Sequence, residues 1–229
     1  MNRLLITIQE KGGVSKTFLT IHLVSYLRSL GHVFRPVDLD LTDGLIPKVF
    51  PPPDSATLSP DVSFIRSGES RMPDLLQMVI EGKLFAIDCG ANTGNSWDVL
   101  FREVCPHLPK EMEAAGVKIT LIVPVTSDEK TWRFFDHYKT QFPNATQIMV
   151  VVREHKDEQF TLPRHPAELT IELPLAVPKL FTTYRSMGMS IDQIAVSELP
   201  ELRLVRSFAR GYLPQLHATF DKIKKHLLP

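Results

Sequence analysis

Continuous apolar runs alternate along the chain with segments in which apolar residues recur at helical spacing. The runs at residues 4–8 and 84–87 predict strands buried on both faces, and residues 33–39, 61–65, 117–125, 148–152 and 169–173 predict further strands. Residues 16–29 and 72–80 have the spacing of helices. The predicted fold class is therefore α/β, a doubly wound, mostly parallel sheet with helices on both faces.

Local signals refine this outline. Gly31 is placed to close the first helix in a left-handed conformation. Thr126 and Glu129 have capping-box spacing before a helix that carries three aromatic residues, which we expect to be core contacts: Trp132, Phe135 and Tyr138. The proline-rich residues 47–60 predict a surface loop. We expect one domain over residues 1–229, in which residues 191–229 form a C-terminal helical extension.

Composition narrows the class of protein. The 26 basic residues equal the 26 acidic residues, so attraction to nucleic acid or anionic lipid would have to come from a local patch. The two cysteines lack metal-ligand spacing and are too few for a disulfide framework. There is neither a secretory signal nor an apolar stretch of roughly 18 residues. We therefore expect a soluble cytoplasmic protein without a membrane partner.

The most informative segment joins the first strand to the first helix and reads Q-E-K-G-G-V-S-K-T over residues 9–17. A phosphate group requires converging backbone N–H groups, the positive end of a helix dipole and a neutralising side chain. Gly12 and Gly13 permit positive φ and a close approach of the backbone. Lys16 is placed to reach the β- and γ-phosphates of a nucleotide, and Thr17 to bind Mg²⁺ through its hydroxyl.

Two glycines of the plain template G-x-x-x-x-G-K-[ST] are replaced, the first by Glu10 and the second by Ser15. If the backbone at Ser15 needs positive φ, serine introduces roughly 1–2 kcal/mol of strain. If that backbone is already helical, the serine costs little. A plain glycine-containing turn between strand and helix is the alternative to a phosphate loop.

Carboxylates follow two of the predicted strands at the edge where a ligand crevice is expected. Residues 84–88 read L-F-A-I-D, which is the Walker B form, and Asp88 with Thr17 would supply oxygen ligands to Mg²⁺. Residues 37–40 read V-D-L-D, which places Asp38 and Asp40 beside the same edge. Taken alone, these two residues could equally be solvated aspartates at the entry to a loop.

Compared with the deviant pattern K-G-G-V-x-K-T, the loop departs from the usual glycine only at Ser15, and the chain resembles the ParA/MinD family of P-loop ATPases over about residues 2–190. The resemblance implies ATP and Mg²⁺ as cofactors, slow partner-stimulated hydrolysis and a homodimer in the ATP state. The lysine equivalent to Lys11 reaches the partner's nucleotide in such dimers, as an arginine finger acts in trans.

The resemblance also assigns roles to residues. The expected catalytic residues are Lys11, Lys16 and Asp40, of which Asp40 orients the attacking water. The expected metal-binding residues are Thr17, Asp38 and Asp88. The expected phosphate-binding residues are Lys11, Gly12, Gly13, Val14, Ser15, Lys16 and Thr17.

The positions that would contact the base match the family pattern less closely. After the penultimate strand this family usually has an asparagine that reads adenine, whereas here residues 150–152 are followed by Arg153. Arg153 either stacks on a base or is an ordinary exposed arginine. Pro174 lies in the segment that packs against the base in the family.

The C-terminal part has basic helical character. Arg203, Arg206 and Arg210 share one helix face, which would hold DNA phosphates without sequence preference. The alternatives are amphipathic helices that pack on the sheet, or a membrane-surface helix at residues 220–228. Gly211 and Pro214 are expected to break the helix between the two parts.

The resemblance favours an ATPase switch in DNA or plasmid partition, maintenance, transfer or positioning, bound to non-specific double-stranded DNA and stimulated by a protein partner. Ser15 and Arg153 leave open a nucleotide-binding scaffold that no longer hydrolyses ATP. An ATP-dependent small-molecule ligase or synthase of related fold is a third possibility, for which the sequence has no signature.

Overall fold

Seven parallel strands form one sheet in the computed structural model, which describes residues 2–40, 44–91, 93–153 and 169–229. They are β1 (Arg3–Thr7), β2 (Arg35–Asp38), β3 (Ala56–Thr57), β4 (Phe85–Asp88), β5 (Lys118–Val125), β6 (Thr146–Val151) and β7 (Thr170–Glu172). Their spatial order is β3-β2-β4-β1-β5-β6-β7. The first strand is therefore central, with β4 and β5 as its neighbours.

Helices cover both faces of the sheet. One face packs against α1 (Lys16–Ser29), α2 (Leu45–Val49), α8 (Pro178–Met187), α9 (Ile191–Val196), α10 (Arg203–Asp221) and α11 (Lys224–Leu227). The other packs against α3 (Val62–Ser67), α4 (Met72–Ile80), α5 (Gly94–Asp98), a π-helical segment (Val99–Val104), α6 (Leu108–Ala114) and α7 (Glu129–Gln141). A short 3₁₀ turn (Pro200–Leu202) precedes α10. The predicted doubly wound α/β fold is confirmed.

The central elements follow from their apolar character. Leu4 and Ile6 belong to the core on one face of β1, and Leu5 belongs to the core on the other. Helix α1 is buried on nearly all sides and coincides with the predicted range. Gly31 has φ of 87°, and the N–H groups of Gly31 and His32 donate to carbonyls of the last turn of α1, as expected for a left-handed closing residue.

Two segments differ from the predictions. Residues 61–65 are not a strand, because the Asp61 carboxylate accepts a hydrogen bond from Ser63 N at 2.7 Å and so caps α3. The proline-rich residues 47–60 are not a plain loop either. They contain the end of α2 and the short edge strand β3, in which Ala56 pairs with Val37.

The start of α7 also differs from the prediction. Asp128, and not Thr126, caps the helix, because its carboxylate accepts from Lys130 N at 2.9 Å. The aromatic residues of α7 do pack as expected: Phe135 and Tyr138 are buried, and half-buried Trp132 donates its indole N–H to the Thr126 carbonyl at 2.7 Å.

Helix α10 runs without a break through Gly211 and Pro214. Proline removes one intrahelical hydrogen bond, but Tyr212, Leu216 and Phe220 are buried against the sheet and hold the helix together. The apolar stripe continues into the core through Ile223 and Leu227, so the packing alternative describes this region and the membrane-surface helix does not. Within the described ranges no helix combines the length and apolar character needed to cross a membrane.

Candidate phosphate-binding site

The predicted phosphate loop lies at the middle of the sheet, between the carboxyl end of β1 and the start of α1. A cavity of about 630 Å³ opens there, with residues 12–18 and Asp40 in its wall. A crevice at the carboxyl ends of parallel strands, next to a helix N-terminus, suits an anionic ligand.

The backbone of the loop is left-handed at two positions. Gly13 has φ of 75° and Ser15 has φ of 67°, whereas Gly12 does not have positive φ, contrary to expectation. Ser15 is the only non-glycine residue with positive φ in the described part of the chain, and its hydroxyl caps nothing in α1. The strained alternative for Ser15 is therefore the one that the structure adopts.

Lys16 is buried in the wall of the cavity, and its ammonium group donates to the Lys11 carbonyl at 3.0 Å. Burial lowers the pKa of Lys16, and the nearby carboxylates of Asp88, Asp40 and Glu10 act in the opposite direction. A buried cation at a helix N-terminus is well placed to neutralise phosphate oxygens.

Lys11 does not reach into the cavity. Its ammonium group lies 2.6 Å from the Asp128 carboxylate at the start of α7, and the pair is partly exposed. The lysine lowers the pKa of Asp128 by hydrogen bonding to it. Sequence reasoning missed this partner, because the spacing of Thr126 and Glu129 predicts a capping box that leaves Asp128 without a role.

Asp88 lies at the end of β4, in register with Thr7 of β1 and Asp38 of β2. Its Oδ1 accepts from the Thr20 hydroxyl at 3.1 Å, while Oδ2 is buried and makes no hydrogen bond to any described residue. Burial raises the pKa of Asp88 to about 7. A buried carboxylate oxygen without a hydrogen-bond donor suits a metal ligand.

The two other predicted carboxylates lie beside Asp88. Asp38 is buried and accepts from Asp40 N at 2.8 Å, which orders the end of β2. Asp40 is half-buried in the cavity wall, and Gly90 packs against it so closely that a Cβ at Gly90 would lie 3.3 Å from Asp40 Cα. The structure thus brings the predicted carboxylates together at one edge of the sheet.

The donor set suits magnesium bound together with a phosphate. Among the described residues no group of three or more histidine, cysteine, aspartate or glutamate side chains is arranged to hold a metal ion by itself. Mg²⁺ ordinarily takes one or two carboxylates and completes its shell with phosphate oxygens and water. Asp88 Oδ2 and the half-buried Thr17 hydroxyl are oxygen donors of this kind.

A second pocket of about 280 Å³ shares Gly13, Ser15 and Phe18 with the first and contains Arg153 and Pro174 in its wall. Arg153 is half-buried and not exposed, and its Nε lies 2.7 Å from a Glu172 carboxylate oxygen. The Pro174 carbonyl accepts from the Tyr212 hydroxyl at 2.9 Å.

Helix α8 contributes residues that no sequence motif indicated. Phe181, Tyr184 and Arg185 line the larger cavity, and Phe181 stacks on Phe18 of α1 with ring centroids 4.8 Å apart. The aromatic spacing of α8 could have indicated a buried face, but not its position beside the phosphate loop.

The three C-terminal arginines lie on α10 and line neither pocket. Arg206 and Arg210 donate to the carbonyls of Ser197 and Ala195, at and near the end of α9. Arg203 is exposed. Two of the three predicted DNA contacts therefore also hold two helices together.

No family model and no curated protein sequence matches the chain, but solved structures do. The septum site-determining protein MinD of Pyrococcus horikoshii OT3, complexed with Mg-ADP, superposes with a TM-score of 0.57 at 15% identity, covering 100% of this chain and 99% of that one. The fold is that of the ParA/MinD ATPases.

Two further MinD structures are similar to this chain over nearly its whole length. The cell division ATPase MinD of Pyrococcus furiosus has a TM-score of 0.52 at 18% identity, over 97% of this chain and 100% of that one. The MinD cell division protein of Aquifex aeolicus has a TM-score of 0.50 at 14% identity, over 93% and 97%. At these identities the similarity to MinD shows the fold.

Proposed function

We propose that the chain is a magnesium-dependent ATPase of the ParA/MinD type that works as an ATP-dependent homodimer in the cytoplasm. The buried ammonium of Lys16 carries this proposal, because it borders a cavity of about 630 Å³ at the start of α1. The orphaned oxygen of Asp88 supports a cation beside that cavity. The complex of the Pyrococcus horikoshii MinD with Mg-ADP supports the choice of ligand.

Each of these residues has a separate role in the proposed reaction. The backbone of residues 12–17 and the Lys16 ammonium hold the phosphates. Thr17 and Asp88 hold Mg²⁺, which neutralises charge on the phosphates when bound, and Asp38 orders the same edge of the sheet. Asp40 orients the attacking water.

Arg153 and Pro174, which line the adjoining pocket, would flank the base. The apolar ring of Phe18 lies in the same pocket. Aromatic and proline surfaces suit the flat face of a nucleobase.

In the proposed dimer, Lys11 reaches the nucleotide of the partner subunit. Such a contact would neutralise charge in the transition state in the way that an arginine finger does. Lys11 must first leave Asp128, so formation of the dimer replaces a partly exposed ion pair by a charge-assisted contact with phosphate.

For the process, we propose partition, maintenance, transfer or positioning of DNA, with a protein partner that stimulates turnover. The net charge of zero means that any contact with DNA phosphates must be local. Arg203 and Arg210 are both exposed, but Arg210 donates to the Ala195 carbonyl, so Arg203 at the start of α10 is better placed for such a contact.

The first experiment is to measure molecular mass by light scattering with ADP, with ATP, and with ATP on the Asp40→Ala variant. We expect a dimer with ATP alone, and a longer-lived dimer in Asp40→Ala because hydrolysis is impaired. Lys16→Ala is the matched control and should remain monomeric with ATP. A protein that stays monomeric under every nucleotide would contradict the proposal.

A hydrolysis assay in the same buffers separates the alternatives. Tight ATP binding without turnover, even with DNA present, would identify a nucleotide-binding scaffold. Consumption of ATP only in the presence of an organic acid or amine would identify a ligase or synthase.

A further inference from the structure

Glu10, which replaces the first glycine of the plain phosphate-loop template, reaches from the phosphate loop to the start of α5. Its Oε1 accepts a hydrogen bond from Gly94 N at 2.9 Å, across 84 residues of sequence. A Cβ on Gly94 would collide with Glu10 Oε1, so a side chain at position 94 would require the Glu10 carboxylate to move away. Glycine at this position therefore allows the carboxylate to reach the Gly94 N–H group.

The start of α5 is held on its other side as well. The Gly94 carbonyl accepts from the Gln141 amide at 2.7 Å, at the end of α7. Thr93, which precedes α5, does not cap the helix, because its hydroxyl donates to the Gly90 carbonyl at 3.0 Å. The Glu10 carboxylate thus satisfies an N–H group that the helix itself leaves without a partner.

The position of Gly94 matters because the chain between β4 and α5 joins two parts of the candidate site. This chain begins directly after Asp88, and Gly90 within it packs against Asp40. Glu10 also lies close enough to Lys16 to oppose the lowering of its pKa.

We propose that Glu10 is a positioning residue, whose carboxylate fixes the start of α5 relative to the phosphate loop and so keeps Gly90 against Asp40. This inference rests on the proposed ATPase function for its effect on turnover. The contact itself exists without nucleotide and can be measured separately.

The first test measures hydrogen–deuterium exchange of the Gly94 amide by NMR, without nucleotide, in the wild type, Glu10→Gln and Glu10→Ala. Glutamine retains an oxygen that can accept the bond, so exchange should stay within about threefold of the wild type. Alanine removes the acceptor, and exchange should rise about tenfold or more, as loss of a charge-assisted hydrogen bond implies. Equal exchange in all three proteins would overturn the proposal.

The second test measures kcat and KM for ATP in the same variants. In Glu10→Ala we expect kcat to fall about tenfold with KM within twofold, because a misplaced group slows the reaction more than it weakens binding. Glu10→Gln should remain near the wild type. Equal kcat values for Glu10→Gln and Glu10→Ala would show that the hydrogen bond has no role and would overturn the proposal.

The third test compares a substitution at Gly94 with and without the Glu10 side chain. Gly94→Ala alone should lower kcat as Glu10→Ala does. The double variant Glu10→Ala/Gly94→Ala should have a kcat no lower than that of Glu10→Ala. Additive losses would contradict a shared contact. If the wild type does not hydrolyse ATP at all, the ATPase proposal fails, while the exchange measurement still decides whether Glu10 holds Gly94.

Discussion

The Lys11 ammonium and the Asp128 carboxylate form an ion pair of 2.6 Å that joins the phosphate loop to the first turn of α7. A second link lies beside it, because the Gln9 amide donates to the carbonyls of Pro124 and Thr131. The side chain that the proposed dimer requires at its interface is thus held within its own subunit. Removing the acid should make the lysine available.

The first prediction is that Asp128→Ser dimerises at a lower ATP concentration than the wild type. Serine keeps a helix-capping side chain but removes the charge. Because a partly exposed ion pair is weak, the midpoint ATP concentration should fall by only roughly two- to fivefold. Light scattering across an ATP titration measures the midpoint.

Lys11→Ala and the double variant Lys11→Ala/Asp128→Ser are the controls for this experiment, and both should fail to dimerise. A midpoint that rises in Asp128→Ser would mean that the acid supports the dimer and does not restrain the lysine.

The second prediction concerns the left-handed backbone at Ser15. Ser15→Gly should raise the free energy of unfolding by about 1 kcal/mol, because glycine adopts φ of 67° without strain. Ser15→Ala is the matched control and should change it by less than about 0.5 kcal/mol, since the serine hydroxyl caps nothing. Urea unfolding measures the free energy of unfolding of the wild type and both variants. If Ser15→Gly is no more stable than Ser15→Ala, the backbone at Ser15 is not strained.

The third prediction concerns His22, which is buried between α1 and α9. Its Nδ1 donates to the Phe18 carbonyl at 2.7 Å, and its Nε2 accepts from Ile191 N at 3.1 Å, so the folded protein requires the neutral ring. Burial lowers the pKa of His22 from 6.5 to about 4. The resulting stability is fully present above pH 6.5 and is lost as the pH falls towards 4.

The loss from this group should amount to about 3 kcal/mol. Unfolding free energies at pH 7 and pH 4.5 measure it in the wild type and in His22→Leu. The leucine variant should be less stable at pH 7 but should lose less stability on acidification. Parallel pH curves for the two proteins would show that His22 does not cause the dependence.

The fourth prediction separates the arginines of α10. Arg210→Ala should lower the free energy of unfolding by about 1 kcal/mol, because it removes a hydrogen bond to the Ala195 carbonyl near the end of α9. Arg203→Ala should leave stability unchanged, since Arg203 is exposed and makes no hydrogen bond or ion pair with another described residue. Thermal unfolding and DNA binding at two salt concentrations are measured on both variants.

If the basic face binds DNA, Arg203→Ala weakens binding and reduces its salt dependence without a change in stability. Unchanged binding in Arg203→Ala would remove the proposed DNA contact at this position.

The sequence was most informative where a single physical cause decides the structure. Leu4 to Ile8 has apolar residues on both faces, and only a central strand buries both. Helix α1 could be placed to the residue, because a glycine-rich turn precedes it and Gly31 closes it. The neighbouring positions of Asp38 and Asp88 also followed, since parallel strands bring their carboxyl ends to one edge.

Features that depend on distant partners could not be predicted in this way. Lys11 and Asp128 are 117 residues apart, and Glu10 and Gly94 are 84 apart, so neither pair has a local signature. Pro214 was expected to end a helix, but burial of its neighbours in α10 outweighs the lost hydrogen bond. Local propensity was overridden wherever tertiary packing supplied more free energy.

The central position of β1 has a consequence for how the protein folds. Its neighbours are Phe85–Asp88 and Lys118–Val125, which lie far along the chain, and Arg3 donates to the His226 carbonyl. Such pairings between distant segments form slowly and late. We therefore expect the phosphate loop to take its final shape only after the sheet around it has closed. The nucleotide of the proposed function would then bind to chains that are already folded.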